Sequence, residues 1–202
     1  MCGRYVITNP VLKTNKIVKS AINVEDFENY NAHPYQKLPV IKKYKNGKTL
    51  ESLKWGLIPG WAKKKDFKAL INARLETIDE KISFKKLIKD FRCVAVANGF
   101  YEWRREGKNK IPHYFTRADN KTIFFAGIYE SEQFCLITEE ASDNIKEIHN
   151  RQPVVLNQTD INQYLNLELS GSSFLKDCKK PNLVFYEVSK DVNKPSNNSV
   201  SL

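Results

Sequence analysis

Apolar positions along the chain recur mainly with the alternation of half-buried strands. The runs SLKWGLI, RCVAVANGFYEW, TIFFAGIYE, QFCLIT and NLVFYEVS are rich in β-branched and aromatic residues. Gly, Asn and charged clusters bound them, as expected of antiparallel strands joined by turns. Shorter pieces between them carry helical spacing. Asn9-Pro10 reads as an N-cap followed by proline at the first helical position, opening a helix through Ile17 and Val18. Asp79 to Phe91 places Ile82, Leu87, Ile88 and Phe91 on one side, and Ser142 to His149 does the same with Ile145 and Ile148. Thr159 reads as the cap of a short helix through Ile161 and Leu165. Strands and helices do not alternate regularly, so the pattern predicts an α+β fold rather than a doubly wound parallel sheet. Residues 1–192 read as one domain. The polar residues 193–202 read as a tail that ends loosely.

Composition narrows the function classes. A length of 202 residues with 41% apolar residues supports one domain with a sizeable core. No apolar stretch approaches the roughly 20 residues of a transmembrane helix. The start MCGRYVITNP has no charged segment followed by an apolar run, so no signal peptide is expected and the cytoplasm is the expected compartment. Lys plus Arg is 33 against 23 Asp plus Glu, a net charge of +10 that points to a polyanionic partner, nucleic acid first. The abundance of Lys, Asn and Ile is also what an AT-rich genome produces. None of Cys2, Cys93, Cys135 and Cys178 forms a CxxC pair or has a His at zinc-ligand spacing, so no structural zinc is expected. Cys93 and Cys135 lie in apolar runs and read as small buried hydrophobes. The absence of a Walker loop, HExxH and GxSxG removes the commoner NTPase, zinc-protease and α/β-hydrolase readings.

Several residues can carry chemistry. If Met1 is removed, Cys2 becomes an N-terminal 1,2-aminothiol. Its amine titrates near 7.7–8.0 and its thiol near 8.5, so both nucleophiles are usable at neutral pH. The amine condenses with an aldehyde to an imine, and the thiol closes on the imine carbon to give a thiazolidine. Ring closure gains from high effective molarity. The plain alternative is an incidental second residue on a frayed end. Glu102 in GFYEW is an acid in an apolar strand, where a raised pKa suits proton transfer; it can also be a strand-end partner of Arg104 or Arg74. His149 in EIHNRQP is a tunable acid or base, or a helix C-cap. His33 and His113 read as structural. In INARLET, Asn72 can orient a substrate and Arg74 can clamp a phosphate, or both can belong to a surface turn. In WGLIPGWAKKK, Trp55 reads as core, while Trp61 beside three lysines reads as an exposed stacking residue.

Six segments together resemble the SOS-response-associated peptidase (SRAP) family: MCGRY, WGLIPGWAK, INARLET, RCVAVANGFYEW, FFAGIYE and IHNRQPVVL. They follow the family's order from Cys2 to about Val192. The resemblance implies an α+β fold with an antiparallel β-barrel-like core, flanking helices and a DNA groove. It implies a monomer that senses abasic sites in single-stranded DNA, without a cofactor, and crosslinks to them through Cys2. Its implied peptidase substrate is the protein's own Met1, with lyase-like chemistry also in scope. Carried over by position, Asn72 would hold the sugar or the Cys2 end, Glu102 would transfer protons, and His149 would assist acid–base steps. Arg4, Arg74 and Arg151 match positions that contact DNA phosphates, and Trp61 and Thr138 match positions near the strand. His33, Asn98, His113 and Gln152 depart from the family pattern.

Three functions are therefore in play. One is the covalent sensor. The second is a thiol peptidase using Cys2, His149 and Asn72, which needs only the thiol. The third is a non-covalent single-stranded nucleic-acid binder, whose complexes salt would dissociate completely.

Overall fold

The computed structural model describes residues 2–45, 47–62 and 67–202. Met1, on whose removal the chemistry of Cys2 depends, and the lysine run Lys63, Lys64 and Lys65 lie outside the described residues. The strands are β1 (Tyr5–Thr8), β2 (Ser20–Ile22), β3 (Glu28–Ala32), β4 (Lys37–Tyr44), β5 (Gly47–Trp55), β6 (Asn72–Arg74), β7 (Arg92–Ala97), β8 (Gly99–Glu106), β9 (Asn109–Arg117), β10 (Ile123–Glu130), β11 (Gln133–Glu140), β12 (Arg151–Pro153), β13 (Val155–Leu156) and β14 (Leu183–Glu187). Short helices flank them: α1 (Pro10–Thr14), α2 (Leu87–Asp90), α3 (Asp143–Lys146), α4 (Ile161–Tyr164) and α5 (Gly171–Asp177). The smaller sheet runs β14-β9-β8-β1-β3, and the larger β12-β11-β10-β7-β4-β5-β2, with β6 and β13 joined to it. This is the α+β architecture expected. The barrel is loose, because β5 and β11 close the larger sheet on itself over only the pairs Gln133–Lys54 and Phe134–Trp55. No helix among the described residues is long and apolar enough to cross a membrane.

The long run RCVAVANGFYEW does not form one strand. It breaks at Asn98, so that β7 lies in the larger sheet and β8 in the smaller. Asn98 fixes the crossing: its side chain accepts from Thr8 N–H at 2.9 Å and donates to the Thr8 hydroxyl at 3.0 Å. Gly99 is required next, because a Cβ there would stand 2.2 Å from the Tyr114 ring. Beyond the break, alternation turns Phe100 and Glu102 to the inner side and Tyr101 and Trp103 to the outer. Phe100 stacks on Phe115 and meets Phe125 edge-on; Tyr5 touches both Trp55 and Phe125. These rings join the two sheets, and Cys2, Cys93 and Cys135 lie in the same buried core.

Four local expectations need correcting. Helix α1 stops at Thr14, and Asn9 does not cap it, since its backbone is left-handed and its side chain makes no cap bond. Asp26, remote in sequence, accepts from Val11 and Leu12 N–H instead. Of Asp79–Phe91 only α2 is α-helical, and Ile82 is 68% exposed rather than on the buried side. The cap before α4 is a capping box of Asn157 and Asp160, not Thr159. The C-terminal residues do not end loosely. The Asn31 amide donates to the carbonyls of Val192, Lys194 and Asn197, Trp103 Nε1 donates to Asn193, and Tyr30 N–H donates to Asn198.

Arg92 fastens α2 to the segment joining α4 and α5. It is buried and makes no ion pair among the described residues, and its donors reach the carbonyls of Ile88, Lys89, Tyr164, Asn166 and Leu169. These include chain-end carbonyls that short helices leave open. An Arg92→Met protein keeps most of the volume but strands those acceptors, each costing about 1–3 kcal/mol when buried unpaired. Denaturant unfolding should show a loss of at least about 3 kcal/mol. A loss below about 1 kcal/mol would mean that the carbonyls find other partners.

Candidate active site and nucleic-acid face

Three segments distant in sequence meet at the N-terminus. The Asn72 amide, at the start of β6, donates to the Cys2 carbonyl at 2.9 Å. Its Oδ1 is buried and accepts no hydrogen bond among the described residues. Cys2 is fully buried, and its thiol points to the Arg4 carbonyl at 3.9 Å. Burial pushes the thiol well above its ordinary range, and the charge of Glu102 pushes the same way. A buried thiol near a carboxylate is a poor ground-state thiolate.

Glu102 sits on the inner side of β8, only 3% exposed. Burial raises its carboxyl to about 7. Such a group exchanges a proton readily at neutral pH. Its Oε2 is 3.9 Å from His149 Nε2. His149 Nδ1 lies 3.0 Å from the Arg151 N–H and 3.1 Å from the Arg151 carbonyl, so the backbone of Arg151 holds the ring with Nε2 facing Glu102. His149 is lowered from its ordinary value, first by burial, with the charges of Arg105 and Arg151 adding to it. Burial and these charges favour the neutral imidazole, which is turned toward the carboxyl.

The residues matched to DNA contacts differ in how they are presented. Trp61 is 52% exposed and meets Phe67 edge-on at 5.7 Å, whereas Trp55 is fully buried, as expected of the pair. Arg74 is exposed at the end of β6 and makes no ion pair among the described residues. Arg4 is half-buried and donates to Asn31 Oδ1 and the Val192 carbonyl, tying the C-terminal segment down. Thr138 is fully buried; its carbonyl and hydroxyl receive Arg151 Nη2 at 2.8 and 3.3 Å. Arg151 is also held by both oxygens of Glu76, at 2.7 and 2.9 Å. Sequence reasoning passed over Glu76; its place two residues after Arg74 in INARLET was the available signal.

The positions that depart from the family pattern are occupied by packing. Beyond the role of Asn98, Gln152 accepts from Ser142 N–H at the start of α3 and donates to Glu139. His113 is buried edge-on to Phe185, although it is the register partner of Glu102 on β9. His33 Nδ1 lies 2.9 Å from the Pro34 carbonyl.

The chain is similar to known proteins over its whole length. The family model for SOS response associated peptidase (SRAP) matches residues 1–195. The abasic site processing protein YoqW of Bacillus subtilis is 33% identical, with 100% of this chain and 98% of the relative covered. The abasic site processing protein YedK of Escherichia coli is 34% identical over 85% of this chain and 82% of its own. Among solved structures, a protein from Bacteroides thetaiotaomicron superposes with a TM-score of 0.80 at 26% identity, covering 97% of both chains.

Proposed function

The chain belongs to the SOS response associated peptidase (SRAP) family, and on that premise we propose that it processes abasic sites in single-stranded DNA by forming a thiazolidine crosslink through Cys2. The observation that carries this reading is the convergence of Asn72, Glu102 and His149 on the N-terminal segment. Once Met1 is released, the amine of Cys2 attacks the aldehyde carbon of the ring-opened sugar. Glu102, as the acid, protonates the carbinolamine hydroxyl, which leaves as water. The resulting carboxylate accepts the thiol proton as sulfur adds to the imine carbon. A carboxyl raised to about 7 serves both steps at neutral pH. Asn72 holds the terminus, and His149, with its Nε2 toward Glu102, assists sugar ring opening. Trp61 and Arg74 are the exposed residues that meet the strand; Arg4, Thr138 and Arg151 border its path. Release of the chain's own Met1 is the peptidase step in this reading.

The geometry gives less support to a general thiol peptidase. His149 turns to Glu102, and burial disfavours the Cys2 thiolate that such an enzyme requires. Processed protein mixed with an abasic single-stranded oligonucleotide should gain the mass of the strand less one water. The product should survive heat and high salt. Acetylating the N-terminal amine should prevent it, whereas a thiol peptidase would be untouched. Folded, processed protein that yields no adduct would overturn the crosslinking reading.

A further inference from the structure

Two arginines border Thr138 in opposite electrostatic states. Arg74 is its register partner on β6, exposed and without an ion pair among the described residues. Arg151 reaches the same residue from β12 but is closed by a carboxylate: Nη1 donates to Glu76 Oε1 and Nη2 to Oε2. This is the two-point geometry by which a guanidinium binds phosphate. Nη2 is further engaged by the Thr138 carbonyl, and Nε is buried without a partner among the described residues. The fork is therefore already filled. Glu76 is not itself buried: its side chain is 47% exposed against 13% for Arg151, and it also accepts from Glu140 N–H at 3.1 Å. Its open side is where it can turn toward solvent.

We propose that Glu76 is an internal competitor of DNA phosphate: its carboxylate neutralises Arg151 in the free protein, and a phosphodiester of the bound strand must displace it. The inference rests on the DNA-processing reading and adds a regulatory part to it. Arg151 is mostly shielded and Glu76 half-exposed, so the charge left behind when Glu76 departs must be taken over directly by the incoming phosphate, and the exchange is accessible only as such a replacement. The device lowers affinity for any passing strand while leaving Arg151 available where other contacts hold the strand in place. The energy of releasing Glu76 is recovered only by a strand whose phosphate reaches the fork.

The test is binding of an undamaged single-stranded oligonucleotide across a salt series. Glu76→Gln keeps the shape of the side chain and removes its charge. It is expected to bind roughly five- to tenfold more tightly at low salt, as a charge-assisted phosphate contact no longer competes with a carboxylate. The log–log salt slope should steepen by roughly 0.7, the share of one further phosphate on a single strand. In wild type the freed Glu76 takes up a cation as the phosphate sheds its own on meeting Arg151, so that share is hidden. Glu76→Gln with Arg151→Ala should erase the gain, assigning it to this pair. Glu76→Asp, charged but shorter, should show a partial gain. Unchanged or weaker binding by Glu76→Gln, or an unchanged slope, would overturn the proposal. A gain without any adduct on an abasic strand would instead sink the crosslinking reading and leave the competitor standing; adduct without a gain would do the reverse.

Discussion

Cys2→Ala protein should form no heat-stable adduct with an abasic strand. Alanine is also small enough at the second position for Met1 to be removed, so the variant retains a free terminal amine. That amine can still condense with the sugar aldehyde, but no thiol remains to add to the imine carbon, and the imine returns to aldehyde with water. The variant therefore separates the two halves of the reaction. Without reductant the yield should fall to the detection limit, whereas borohydride should still trap the amine on the strand. Because Cys2 is buried in the core, its replacement will soften local packing; a melting curve near that of wild type establishes that the loss is chemical. A stable adduct from Cys2→Ala without reductant would remove the thiol from the mechanism.

The second large effect is on rate and pH dependence. Glu102→Gln is expected to form adduct roughly 100-fold more slowly or worse, the usual weight of a positioned acid or base. The carboxyl is raised to about 7, so its protonated fraction falls as pH rises through 7. The Cys2 amine, deprotonating near 7.7–8.0, gains reactivity over the same interval. Opposed requirements of this kind give wild type a bell-shaped rate with its maximum near neutrality. Glu102→Gln should retain only the rise due to the amine. Stability gives an independent reading of the same group. A folded-state value above the ordinary 4.5 means that the folded protein binds the proton more tightly than the unfolded chain. This contribution is complete below pH 4.5 and is lost as pH rises to about 7. Glu102→Gln should lack that slope. A variant with the wild-type pH–rate profile would place proton transfer elsewhere.

Much of the site was legible because its parts are local. Cys2 is defined by its position next to Met1. An acid between aromatic residues in GFYEW marks a carboxyl with a raised pKa, since alternation alone puts Glu102 on the same side as Phe100. Trp55 as core and Trp61 as exposed follow from what surrounds a Pro-Gly turn. Cys93 and Cys135 are buried as their apolar runs predict. The strand content and the α+β class follow from period-two patterning over long runs, which tertiary contacts reinforce rather than oppose.

The tertiary structure decided what depends on partners far along the chain. Helix lengths shrank where caps came from elsewhere, as Asp26 does for α1. The crossing at Asn98 depends on Thr8, some 90 residues earlier in the chain, a pairing that no window around VANG contains. The Arg92 brace likewise needs carbonyls from α2 and, more than 70 residues later, from the end of α4 onward. At the N-terminus, sequence supplied an aminothiol, an amide, an acid and an imidazole without an order among them. Folding set Asn72 on the Cys2 carbonyl, turned His149 to Glu102 rather than to the thiol, and buried the thiol itself. It also split the five residues matched to DNA contacts into exposed and engaged groups, with Glu76 closing Arg151. The N-terminal thiol thus becomes part of an arrangement whose protonation is set by burial and by charges distant in the chain. Local chemistry specifies which groups are present, and desolvation and long-range hydrogen bonds specify which of them can act.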